Sequence, residues 1–283
     1  MSRIVCLILF FPVLVACESE SSPANGNNTN NTNYANNANN TNNISSTLGE
    51  CFQEVAAGAR FTPRAGHAVV SLNGNLYVMG GFENREGTAT ALNDVWASSD
   101  GHTWTEVTAQ APWLPRAGHC SVSFNNKIWV IAGNNDTDYY SDVWSSGDGA
   151  TWELARSADS PGFSDRKGIS CVSFKERLWV LGGVDYGGIA EVWSSTDGVE
   201  WRQEPAPPWG GRGHHVSWVS DERIWVLGGH VYTTDYYRDV WSSEEGTAWT
   251  RHDDFPVDSS IYGHAVFVSG QRVVVIGGNG NTD

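Results

Sequence analysis

Four arginines recur along this chain, at Arg64, Arg116, Arg166 and Arg212, and three of them precede a histidine by three residues, at His67, His119 and His215. His264 holds the same place in a fifth copy, where Ile261 replaces the arginine, and in the third copy Ile169 replaces the histidine. Gathered at one surface, such cations could hold an acidic ligand. Carboxylates recur just as regularly, at Asp94, Asp142, Glu191 and Asp239. Groups present once per repeat usually serve the scaffold, so the spacing predicts internal arginine–carboxylate pairs.

Residues that break the repetition are better candidates for a site. Among the titratable ones are Arg85, Lys167, Asp185, His214 and His230. Tyrosine, asparagine and aspartate dominate four segments of unequal length, 82–93, 134–141, 184–190 and 230–238, which contribute Asp136, Tyr139, Tyr140, Tyr186, Tyr232, Tyr236 and Tyr237. Aromatic rings beside amides and carboxylates suit a sugar or a peptide. No acid, base and nucleophile converge in the sequence, and no spacing of ligands implies a metal or a cofactor. His214 and His215 are adjacent on a strand, so they point to opposite faces.

These residues need elements to position them. "DVWSSGDGATW" at 142–152 recurs as "DVWASSDGHTW" at 94–104, "EVWSSTDGVEW" at 191–201 and "DVWSSEEGTAW" at 239–249. The tryptophans of the motif stand 48, 49 and 48 residues apart, a period that marks a repeat architecture. Each unit carries four short β-patterned runs. In the second they are 118–124, 127–133, 142–146 and 151–155, with turns at Asn125-Asn126 and at 147–150. A four-stranded meander repeated radially gives a β-propeller. Eleven of the 14 tryptophans fall at three repeated positions and are expected between blades.

The stretch "PRAGHAVVSLNGNLYVMGGF…LNDVW…TW" (63–104) resembles a kelch repeat, and the resemblance extends over residues 63–278. Its glycine pairs are Gly80/Gly81, Gly182/Gly183, Gly228/Gly229 and Gly277/Gly278, with Ala132/Gly133 a departure. The resemblance implies an all-β, kelch-like propeller of four-stranded antiparallel blades, similar to the central domain of galactose oxidase, with four full repeats and a partial fifth. Phe52–Val55 has the spacing of a fourth strand supplied to the last blade. The expected ring has five blades with an open last one, or is a piece of a six- or seven-bladed ring; the family's usual blade number favours the second. The repeated arginines and histidines then fall at the channel mouth, on the face that carries the variable loops.

The flanks and the cysteines bound the setting. Residues 1–17 read as a signal peptide ending in "LVAC", which resembles a bacterial lipobox, so Cys17 would carry the lipid. Glu18 after it favours the outer membrane. Residues 18–49 are rich in Asn and Ser with little to bury, and read as a disordered tether; residues 50–283 form the propeller. With Cys17 acylated, Cys51, Cys120 and Cys171 remain, an odd number. Cys120 and Cys171 lie in equivalent strands but one position out of phase, which speaks against a bridge without excluding it. A net charge of −15 excludes a basic nucleic-acid surface.

The expected protein is a lipid-anchored module of the bacterial cell envelope that binds a protein or glycan on its loop face and does no chemistry. It touches the membrane only through its anchor and binds no nucleic acid. The alternatives are a carbohydrate-active kelch enzyme, of sialic-acid mutarotase or galactose oxidase type, and a structural envelope protein.

Overall fold

A computed structural model describes the backbone of residues 3–7, 61–85, 87–231, 235–255, 262–269 and 272–279. Cys17, the 18–49 segment, Cys51, Phe52–Val55 and Tyr232 lie outside the described residues. Among the described residues there is no helix; every element is a strand.

Four sheets of four antiparallel strands follow one another, each in chain order from inner to outer strand. The first blade comprises Ala68–Leu72, Asn75–Met79, Val95–Ser98 and Thr105–Thr108. The second comprises Cys120–Phe124, Lys127–Asn134, Tyr139–Ser146 and Glu153–Arg156. Ser170–Phe174, Arg177–Leu181, Val192–Ser195 and Arg202–Gln203 form the third. Val216–Ser220, Arg223–Leu227, Val240–Ser243 and Thr250–Arg251 form the fourth. The fifth unit contributes the hairpin Tyr262–Ser269 and Arg272–Asn279. Residues 1–17 are expected outside the fold from the sequence, and in this structure Arg3–Leu7 runs parallel to Arg272–Asn279. An exposed strand edge accepts any extended apolar segment.

Inner hairpins turn where left-handed backbone is expected. Asn125-Asn126, Lys175-Glu176 and Asp221-Glu222 all have positive φ, as two-residue type I′ turns require. The alternation of each strand then sends one face to each neighbouring blade, and a separate apolar cluster fills each of the four seams between consecutive blades. Trp129 and Trp179 are 4% and 3% exposed, so the repeated aromatics do fill the wedge.

A pairing that the sequence leaves open is settled here. Cys120 and Cys171 form a disulfide joining the inner strands of the second and third blades. The one-residue phase difference that seemed to separate them is absorbed by the stagger between blades, which leaves their Cα atoms 6.0 Å apart.

Candidate functional site

The repeated arginines are structural pillars. Arg64, Arg116 and Arg212 each meet the carboxylate two residues before the third-strand tryptophan of their own blade, Asp94, Asp142 and Asp239, at 2.6, 2.7 and 2.5 Å; Arg166 meets Glu191 at 2.7 Å. Each also donates to the carbonyl at the first position of the glycine pair: Gly80, Ala132, Gly182 or Gly228. The carboxylate in turn accepts a bond from the indole two residues on, Trp96, Trp144, Trp193 or Trp241. The repeated Asp-Val-Trp is therefore a hydrogen-bonded relay from arginine to carboxylate to indole. Placing these arginines at an open channel mouth needs correction: the guanidinium side chains are 0–2% exposed. Burial of an ion pair is tolerated when its hydrogen bonds are completed, as they are for Arg64, Arg116 and Arg166; Arg212 leaves only its Nε without a partner.

Three of the repeated histidines are sealed as well, whereas His67 is exposed. His119, His215 and His264 are 6%, 4% and 6% exposed. Burial, reinforced by Arg116, holds His119 down to about 3, and burial holds His264 down to about 4. His215 is pushed well below its ordinary value by burial and by Arg212. All three are neutral at physiological pH, so among the described residues the repeated arginines and these histidines form no ring of free cations.

Two of the singled-out tyrosines join this scaffold instead of the loop surface. The Arg116 guanidinium lies 4.7 Å from the Tyr140 ring and that of Arg212 lies 4.0 Å from Tyr237. A cation on each ring face explains why these side chains turn inward. A fourth aromatic column, not recognised in the sequence, stands three residues before each arginine: Phe61, Trp113, Phe163 and Trp209. Each meets its blade's outermost tryptophan edge to face, at centroid distances of 5.3, 5.9, 5.1 and 5.7 Å. The column alternates between Phe and Trp, which hid it from a search on tryptophan spacing.

The other candidates fall into two groups. Between the second and third blades a cleft of about 390 Å³ is lined by Thr137, Asp138, Tyr139, Ser164, Asp165, Asp185 and Tyr186. Tyr139 and Tyr186 meet at 5.8 Å in a T-shaped pair, and Tyr186 is 89% exposed. The Lys167 ammonium lies 5.4 Å from the Tyr139 ring. Asp165 and Ser164 were missed because they belong to the connection between blades and not to a loop within one. The signal was present: Asp165 stands where Pro63 and Pro115 precede the arginine in other repeats. Asp136 is exposed near this loop with φ 90°, and Arg85 falls on a separate small sheet with Thr88–Ala91.

The second group is an aromatic stack. His214 and His230 lie 5.1 Å apart and nearly parallel; His230 also meets Tyr236 at 5.6 Å and Tyr262 at 4.1 Å. Tyr262 was another omission, occupying the variable place that Lys167 holds in the third unit. Blades are stitched by backbone bonds from Gly118 to Gly66, Gly168 to Gly118, His214 to Gly168 and Gly263 to His214. His214 is thus the one side chain among five positions of positive φ otherwise held by glycine. Left-handed backbone at a non-glycine residue costs on the order of 1–3 kcal/mol and marks a position held by its surroundings. Burial, with His230 and Lys167 nearby, lowers His214 to about 4. Among the described residues, no three His, Cys, Asp or Glu side chains come together to hold a metal ion.

Blades stitched by backbone bonds and each braced internally by a repeated arginine–carboxylate–indole relay, with unrepeated aromatic and acidic side chains on the connecting segments, define a repeat propeller. The family model "KLHDC2/KLHL20/DRC7 Kelch-repeats domain" matches residues 25–183, and the chain belongs to the kelch-repeat family. The chain is 30% identical over 160 residues to the flagellar outer-arm dynein alpha chain of Chlamydomonas reinhardtii, across 52% of this chain and 4% of that protein. It is 33% identical over 127 residues to beta-scruin of Limulus polyphemus, across 43% and 13%. The chain therefore spans a small part of the length of these relatives. The solved structure of YjhT superposes with a TM-score of 0.67 at 18% identity, covering 81% of each chain, and shares the fold.

Proposed function

We propose that this chain is a lipid-anchored propeller of the bacterial cell envelope, anchored through Cys17, that binds a protein or glycan on its variable loops and leaves it chemically unchanged. One observation carries the reading. The repeated charged groups are consumed by the scaffold, whereas Tyr139, Asp185 and Tyr186, which the repeat does not require, converge on one cleft with Asp138 and Asp165. Clefts of roughly 300–1,000 Å³ with aromatic walls and a few oriented polar groups are where small ligands and short segments dock. The disulfide supports export, because such bridges persist in oxidising compartments.

The test is retention of the full chain on an array of glycans and peptides, followed by mass analysis of the retained compound after prolonged incubation. Recovery unchanged supports a binding module. Conversion would move the reading to a carbohydrate-active enzyme, for which the His214–His230 pair is the observation in favour. The anchor is tested separately: labelled palmitate enters the wild-type chain and fails to enter C17A.

A further inference from the structure

We infer that the cleft between the second and third blades takes a neutral, hydroxyl-rich saccharide and discriminates against acidic sugars and against basic peptides. This rests on the binding reading above and narrows it.

The carboxylates of the cleft are oriented before any ligand arrives. Asp165 Oδ1 accepts the Ser141 hydroxyl at 2.5 Å, Asp138 Oδ2 accepts that of Thr137 at 2.9 Å, and Asp185 Oδ1 accepts the Gly187 N–H at 2.9 Å. Anchored acceptors of this kind match the donating hydroxyls of a sugar, since a charged acceptor strengthens a hydrogen bond about twofold. Thr137 and Ser164 add groups that donate or accept. Tyr186 provides an exposed ring face for the apolar side of a pyranose, held by its edge-to-face contact with Tyr139.

Charge balance argues for neutrality. Three carboxylates at the walls repel a carboxylate-bearing sugar. They are less of a trap for a cation than their number suggests, because Arg156, Arg166 and Lys167 contribute positive charge to the same region. Arg156 gives its hydrogen bonds to the carbonyls of Ser141, Ser160, Pro161 and Phe163, and Asp165 acts on it electrostatically. Asp165 and Asp185 both act on Arg166. Lys167 stands over Tyr139 at the cleft edge. The walls are also fixed relative to each other, since the disulfide joins the inner strands of the two blades that form them. A rigid site loses little on ordering, which suits the weak contacts of a neutral sugar.

The experiment is a binding series on the full, oxidised chain with three probe classes: neutral oligosaccharides terminating in glucose, galactose or mannose; the same cores carrying sialic or uronic acid; and lysine- and arginine-rich peptides. Neutral probes are expected to bind with little dependence on salt, and Y186A and D185N are each expected to weaken them at least tenfold with melting temperatures unchanged. Two further results overturn the inference while sparing the binding reading: capture confined to acidic sugars or to basic peptides, and neutral-sugar binding indifferent to both substitutions. Capture of none of these probes by the wild-type chain overturns the inference, and a blank result on the wider array of glycans and peptides overturns the binding reading with it.

Discussion

Ala132 and Ile169 share one buried cluster between the second and third blades, and each is a departure from the repeat. In the neighbouring seams the equivalent partners are a glycine and a histidine. A methyl group added to Gly80 would stand 2.8 Å from His119 Cε1, and one added to Gly182 would stand 3.0 Å from His215 Cε1. At both glycines a backbone carbonyl, that of Arg116 or Arg212, stands nearer still at 2.7 Å; at Ala132 the imidazole at least is absent, with Ile169 in its place. The two departures are two halves of a single contact.

It follows that I169H alone overpacks this seam and costs about 1–3 kcal/mol. Adding A132G should recover part of the loss, with a coupling of about 0.5–3 kcal/mol in a double-mutant cycle followed by urea unfolding. Strictly additive effects would separate the two positions.

The Asp-Gly of the outer turn has a second duty beyond turning the chain. Gly198 lies against the face of Trp129 in the preceding blade, and a Cβ there would overlap the ring. G198A is expected to lose more than about 2 kcal/mol, combining overlap with a strained φ of 76°. Gly101 has a similar φ of 72° and nothing near its missing Cβ, so G101A should lose only about 1 kcal/mol. Equal losses in the two variants would mean that backbone conformation alone explains the motif.

Acid should weaken the fold through the sealed histidines. In the unfolded chain each titrates near 6.5, whereas His119 and His264 are held at about 3 and about 4. Between those values the unfolded chain takes up protons that the native chain refuses. Stability is therefore full above pH 6.5 and falls as pH drops toward 4, by about 1.4 kcal/mol per pH unit for each such histidine. Urea midpoints measured at pH 7.5, 5.5 and 4.5 test this, and H264F should remove one proton's worth of slope. A flat profile over that range refutes it.

The disulfide closes a loop with a sequence separation of 51. C171S is expected to lose about 4 kcal/mol by the chain-entropy estimate. Intact mass before and after reduction and alkylation shows whether the bridge is present in the isolated protein. Unchanged stability on reduction would assign the bridge a role in geometry alone.

Much of the fold was legible because its signals are local and repeated. The type I′ turns, strand alternation and tryptophan spacing all act within one unit. Contacts between units were harder. The disulfide depends on stagger between blades, and the Ala132–Ile169 contact reads as two unrelated defects until the seam is seen. In the candidate site, Tyr139, Asp185 and Tyr186 stood out because they break the pattern. Tyr140 and Tyr237 broke it too, but arginines that the sequence could not place beside them drew them inward. Asp165 and Tyr262 lay in columns next to strongly repeated residues, and their neighbours' regularity concealed their own variation.

The bridge between Cys120 and Cys171 encloses the whole second blade apart from the start of its inner strand. A protease that cuts anywhere between those two cysteines, including the exposed turn at 136–138 beside the cleft, leaves two pieces that cannot part. Damage on this exposed side of the candidate site is thereby converted from a loss of material into a nick in a molecule that is still whole.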